Sequence, residues 1–125
     1  MSRKAVMSVW MFFAVGSAFA QEPSLTCDVV NDGTEKIQCT FVTPRKNEAR
    51  ETTFYWHSES HPQDDRERII TLPAGHGSVY DYRYLRGRAQ GTWTVTVSIT
   101  DADGSETEVS HHFTLEDTTI VDRAR

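Results

Sequence analysis

From Leu25 onward, apolar and polar residues alternate with a period of two in short runs separated by turn formers. No stretch of residues 21–125 repeats its apolar positions at the spacing of an amphipathic helix. Leu25, Cys27 and Val29 share one face of a first predicted strand, and Ile37, Cys39 and Phe41 share one face of a second. Asn31-Asp32-Gly33-Thr34 lies between them as a turn signal. A hairpin centred on Gly33 sets Cys27 opposite Cys39 and Val29 opposite Ile37. A charged loop follows over 44–51, and then a strand over 52–58 with Phe54 and Trp56 on one side, Tyr55 and His57 on the other. A polar loop, 59–66, leads to short strands over 67–72 and 78–85, closed by Pro73-Ala74-Gly75 and Arg86-Gly87-Arg88. In the clearest strand, 92–100, Trp93, Val95, Val97 and Ile99 alternate with Thr94, Thr96, Ser98 and Thr100, which suits a half-buried pleated surface. Asp101-Ala102-Asp103-Gly104 makes a tight turn into a last strand over 106–115, where Val109, His111, Phe113 and Leu115 oppose Ser110, His112 and Thr114.

About seven short antiparallel strands bury one face each most simply as two packed sheets, so the expected fold is a small all-β, immunoglobulin-like sandwich. The domain is expected over residues 21–117, with 118–125 a polar, frayed tail. Its expected core is Cys27, Phe41, Phe54, Trp56, Ile70, Leu72, Trp93, Val95, Val97, Ile99, Val109 and Phe113.

The first twenty residues read differently. Arg3 and Lys4 precede an apolar run from Ala5 to Phe19, and Ala18-Phe19-Ala20 is a small-x-small cleavage pattern. This predicts a secretory signal peptide over 1–20, cut after Ala20, and a periplasmic or secreted product without stable membrane insertion. The run is shorter than the roughly 20 residues that span a bilayer. Position 21 is Gln, so no lipid-bearing Cys follows the cut.

Removing the signal takes two of the thirteen basic residues, leaving eleven against eighteen acids, a net charge of −7. An acidic exported domain is a poor partner for nucleic acid, whose phosphates call for a basic face. All three methionines leave with the signal, which removes a Met-rich copper site. The two cysteines that remain, Cys27 and Cys39, read as a structural disulfide in an oxidising compartment. Directly opposed residues sit about 4.5–5.5 Å apart, within disulfide reach. Without C-x-x-C spacing, a catalytic or metal-binding thiol pair is not indicated.

The chain also resembles a bacterial family of immunoglobulin-like envelope domains of unknown function. The resemblance rests on Cys39-Thr40-Phe41, Thr53-Phe54-Tyr55-Trp56-His57, the G-x-W-x-V-x-V run from Gly91 to Val97, Asp101-Ala102-Asp103-Gly104 and Phe113. It covers roughly residues 39–115, implies the sandwich, and implies no chemistry. The Cys27–Cys39 hairpin departs from that family's pattern.

Two constellations carry possible chemistry. His57, His61 and Asp64 could supply metal ligands at a strand end, but His57-Ser58-Glu59-Ser60-His61 runs from a strand into a loop, and the alternative is a solvated polar loop. Tyr80-Asp81-Tyr82-Arg83-Tyr84-Leu85-Arg86-Gly87-Arg88 puts three tyrosines on one side of a strand beside three arginines. Tyr80, Tyr82, Arg83, Tyr84, Arg86 and Arg88 therefore form a candidate recognition surface, because Tyr and Arg anchor interfaces. The alternative there is that the tyrosines pack inside while the arginines pair with surface acids. No G-x-S-x-G, H-E-x-x-H or glycine-rich phosphate loop occurs. The expected function is thus a non-enzymatic binding or accessory domain without a cofactor, recognising an envelope protein or a glycan. The alternative is a histidine-based metal-binding protein.

Overall fold

The computed structural model describes residues 22–122. The expected signal peptide and its cleavage site lie outside the described residues. Eight strands form: β1 (Ser24–Asn31), β2 (Glu35–Val42), β3 (Arg50–Ser58), β4 (Arg66–Leu72), β5 (Ser78–Tyr84), β6 (Gly91–Thr100), β7 (Glu106–Glu116) and β8 (Thr119–Asp122). A 3₁₀ turn, Pro62–Asp64, precedes β4. The strands make a three-stranded sheet in the order β1-β2-β5 and a five-stranded sheet in the order β4-β3-β6-β7-β8, with every pairing antiparallel. The chain passes between sheets from β2 to β3, from β4 to β5 and from β5 to β6, so neither half closes a core alone. This is the all-β sandwich that the alternation predicts.

The first hairpin turns at Gly33, whose φ of 109° suits a residue without Cβ. Cys27 pairs with Cys39 and Val29 with Ile37. The two cysteines are disulfide-linked with their Cα atoms 4.0 Å apart, and the bond is buried. Inward positions of both sheets supply the core, led by Trp56, Trp93, Phe41, Phe54 and Phe113. Burying each such side chain contributes about 1.5–3 kcal/mol. Trp56 and Trp93 meet edge to face at 6.5 Å, and each indole N–H has an acceptor: the Asp81 carboxylate at 2.9 Å and the Ala89 carbonyl at 2.8 Å.

Three details differ from the sequence expectation. Ile70 and Val109 are only partly buried, while Leu25, Ile37, Cys39, Leu85 and Leu115 join the core. The expected tail begins with a strand: a turn at Asp117 (φ 59°) brings Thr119–Asp122 back along β7, with Ile120 opposite Leu115 and packed on the core. The β-branched run Thr119-Ile120-Val121 suits a strand, and Leu115 gives its Ile a partner. Among the described residues the strand total is accordingly eight.

Three strands cannot cover five. Arg66 and Arg68 share the inward parity of Ile70 and Leu72, standing opposite Trp56 and Phe54 on β3. They lie on the edge strand of the larger sheet, where it overhangs the smaller one. That overhang positions the candidate site.

Candidate functional site

The alternation of β5 holds, but its faces are set opposite to the expectation for an aromatic strand. Tyr80 and Tyr84 are 54% and 53% exposed and Tyr82 is half-buried, all on the outer face of the three-stranded sheet. Asp81 and Arg83 point inward, 1% and 9% exposed. The tyrosines therefore do not pack inside the sandwich. Arg83, expected as a surface anchor, is instead a core residue. Its guanidinium carbon lies 5.9 Å from the Trp56 ring centroid and 5.7 Å from that of Trp93, an arrangement in which the aromatic faces stabilise a desolvated cation.

Two carboxylates hold this inner layer together. Asp81 accepts from the Trp56 indole, from Arg66 Nη2 at 2.8 Å and from Arg68 Nη1 at 3.1 Å. Arg66 also donates to the Tyr82 carbonyl at 2.9 Å and so ties β4 to β5. Asp64, in the 3₁₀ turn, accepts from Arg83 Nη2 at 3.1 Å and the Ala89 backbone N–H at 2.8 Å, and pairs with Arg88 Nη1 at 3.0 Å. The Asp64 carbonyl accepts from Arg83 Nη1 at 2.6 Å. Burial, and then the neighbouring Arg88, push the Arg83 pKa below its usual value, with Asp64 opposing them.

Between β4 and β5 an open groove of about 320 Å³ is lined by Arg66, Arg68, Tyr82, Arg83, Tyr84 and Arg88. Tyr84 also walls a larger cleft of about 650 Å³ around the first hairpin turn, together with Arg86 and Glu35. The sites thus meet along one edge of the molecule. On the sheet face beside them, Tyr84 pairs with Lys36, Tyr82 with Gln38 and Tyr80 with Thr40. The next strand adds Asp28 and Thr26 opposite Gln38 and Thr40. Tyr82 and Tyr84 meet edge to face at 5.8 Å, and the Lys36 ammonium sits 4.7 Å over the Tyr82 ring.

The proposed metal ligands do not converge. His57 Nδ1 lies 2.8 Å from Asp65, not Asp64, on the outer face of the five-stranded sheet. His61 Nδ1 contacts the Ser60 hydroxyl at 2.8 Å, and Asp64 is committed to arginines. Among the described residues no group of three or more His, Cys, Asp or Glu side chains could hold a metal ion. Neighbouring aspartates of one turn serve opposite faces, so closeness in sequence misleads here. Asp65 also accepts from the Tyr55 hydroxyl at 3.1 Å and the Ser58 backbone N–H at 2.7 Å. Burial acts to raise its pKa, but the hydrogen bonds from His57, Ser58 and Tyr55 outweigh it and hold the carboxyl below the usual range. His111 sits beside Phe113 at 6.5 Å, and His112 contacts the Thr94 hydroxyl from the outer face.

Sequence reasoning missed Arg66, Arg68 and Asp81 as parts of the site. A signal for them existed: an arginine at each of two inward positions of β4 faces a strand carrying Asp and Arg at alternate positions. Among the described residues no helix is long and apolar enough to cross a membrane.

No family model matches the chain, and neither does any curated protein. Among solved structures, it is similar to a catalytically inactive OgpA from Akkermansia muciniphila in complex with an O-glycopeptide (glycodrosocin) substrate. That likeness has a TM-score of 0.44 and 13% identity over 77% of this chain, and the chain spans 30% of that one.

Proposed function

We propose that this chain is an exported, non-enzymatic binding module of the cell envelope that holds a glycan on the tyrosine face of its three-stranded sheet. The observation that carries this reading is the outward placement of Tyr80 and Tyr84 on an edge strand, beside Gln38, Thr40 and Asp28. Sugar rings present apolar C–H faces and a rim of hydroxyls. Aromatic rings take the first, and amide, hydroxyl and carboxylate side chains take the second. The Asp81 carboxylate, shielded behind two guanidiniums and an indole, has a structural task and is closed to acid–base work on a ligand. The buried disulfide fits an oxidising compartment, in keeping with the signal-peptide reading.

The test is a glycan array followed by calorimetric titration of the best ligand against the Tyr80→Ala/Tyr84→Ala variant. Both side chains are more than half exposed, so the fold survives their loss. At about 1 kcal/mol per interface aromatic, the double variant binds about 30-fold more weakly. Unchanged affinity, or enrichment of a partner protein with no glycan bound, overturns the glycan reading.

A further inference from the structure

The groove beside the tyrosines has a charge that its structural role does not require. Asp81 and Asp64 are each shared by two arginines, so four guanidiniums face two carboxylates. One partner would suffice to neutralise each acid. The carboxylates sit at the back, with the Asp81 side chain wholly buried, while the Arg66 and Arg68 side chains are 36% and 52% exposed. Half of the chain's ten arginines fall between residues 66 and 88, although the whole chain carries a net charge of −5. The positive excess is therefore local, and it opens outward. Nε of Arg66 and Nε of Arg88 are buried without a hydrogen-bond partner, and both residues line the groove.

We infer that this groove binds the oxyanion of an acidic sugar, a carboxylate or a sulfate ester, so that the ligand of the tyrosine face is an acidic polysaccharide. The inference rests on the glycan reading above and adds the charge of the ligand. Guanidinium forks match planar and tetrahedral oxyanions with paired, charge-assisted hydrogen bonds. Tyr82 and Tyr84 line the same groove, so one ligand meets an anion site and an aromatic surface together. Two excess charges on an acidic protein suit a single acidic group. A nucleic acid backbone asks for many.

The experiment titrates the mature, disulfide-intact protein with four probes: hyaluronan tetrasaccharide, trigalacturonate, the methyl ester of trigalacturonate, and sulfated maltotriose. The acidic forms bind at least tenfold more tightly than the neutral ester, and that advantage shrinks between about 50 and 200 mM salt as the Debye length falls from about 14 to about 7 Å. The hyaluronan and sulfated maltotriose arms separate a carboxylate from a sulfate preference. Arg68→Gln/Arg88→Gln brings acid binding down to the level of the ester. This variant keeps Arg66 and the Trp56 indole on Asp81, and Arg83 and the Ala89 N–H on Asp64, and its melting curve checks the fold. Nitrogen-detected NMR shifts at Arg66 and Arg88 Nε on adding the acidic probes give a second readout. Equal affinity for acid and ester, or binding of none of the acidic probes, overturns the inference. Ester binding that still depends on Tyr80 and Tyr84 would leave the glycan reading standing. Binding of hexaglutamate at these arginines with no response to the sugars overturns the glycan identity of the ligand.

Discussion

Removing the Asp81 carboxylate should be among the most costly single changes in this domain. In Asp81→Ala the Trp56 indole N–H, fully buried, loses its acceptor, and an unpaired buried donor costs about 1–3 kcal/mol. Arg66 and Arg68 lose their carboxylate as well. Breaking a fully buried pair costs about 3–5 kcal/mol, but these two guanidiniums reach water and recover part of that by rehydration. The sum is about 3 kcal/mol. At about 4–8 °C per kcal/mol for a domain of this size, the melting temperature falls by about 12–24 °C. Asp81→Asn keeps an oxygen for the indole and loses only charge, so its cost should be about half as large. Urea denaturation of both variants with the disulfide intact, followed by tryptophan fluorescence, measures the two values. A loss below about 1 kcal/mol in Asp81→Ala would refute the reasoning. An Asn variant as damaged as the Ala variant would show that charge balance, not the indole hydrogen bond, dominates.

Cys27 and Cys39 close a short loop with a sequence separation of 12, so the Cys27→Ala/Cys39→Ala variant should lose about 3 kcal/mol in chemical denaturation; an unchanged midpoint would show that the hairpin holds without its clip. Asp65 has a folded pKa below its unfolded value, so its hydrogen bonds add stability that is fully present above the unfolded value of about 3.9 and fades as pH falls through the folded one. Melting temperatures of the parent and of Asp65→Asn should therefore converge as the pH is taken from neutral to below 3 (about one unit under the unfolded value), and a gap that stays constant with pH would count against that account.

Much of the fold was legible in the chain because strand period and turn chemistry are local. Alternation around Gly33 was enough to pair Cys27 with Cys39, and the run from Trp93 to Ile99 could bury its apolar face in only one way. The tail was misread because its β-branched run makes a strand of only four residues, stable only on the ladder beside it, where Ile120 meets Leu115. The same limit governed the histidines. Only the folded turn shows that Asp64 and Asp65 leave it toward opposite sheets.

At the candidate site, alternation along the chain already divides β5 into two faces, tyrosines on one and Asp81 with Arg83 on the other. Which face turns inward was decided by the tertiary structure. Hydrophobicity alone favours burying three tyrosines over an aspartate and an arginine. The packed molecule reverses this because the overhanging edge of the larger sheet supplies Arg66 and Arg68 for Asp81, and the two tryptophans and Asp64 supply a lined slot for Arg83. Those partners stand 10 to 27 positions away along the chain, from Trp93 to Trp56 about Arg83, so no local pattern contains them. Long-range satisfaction of buried charge set the orientation of the strand and left the tyrosines facing the solvent.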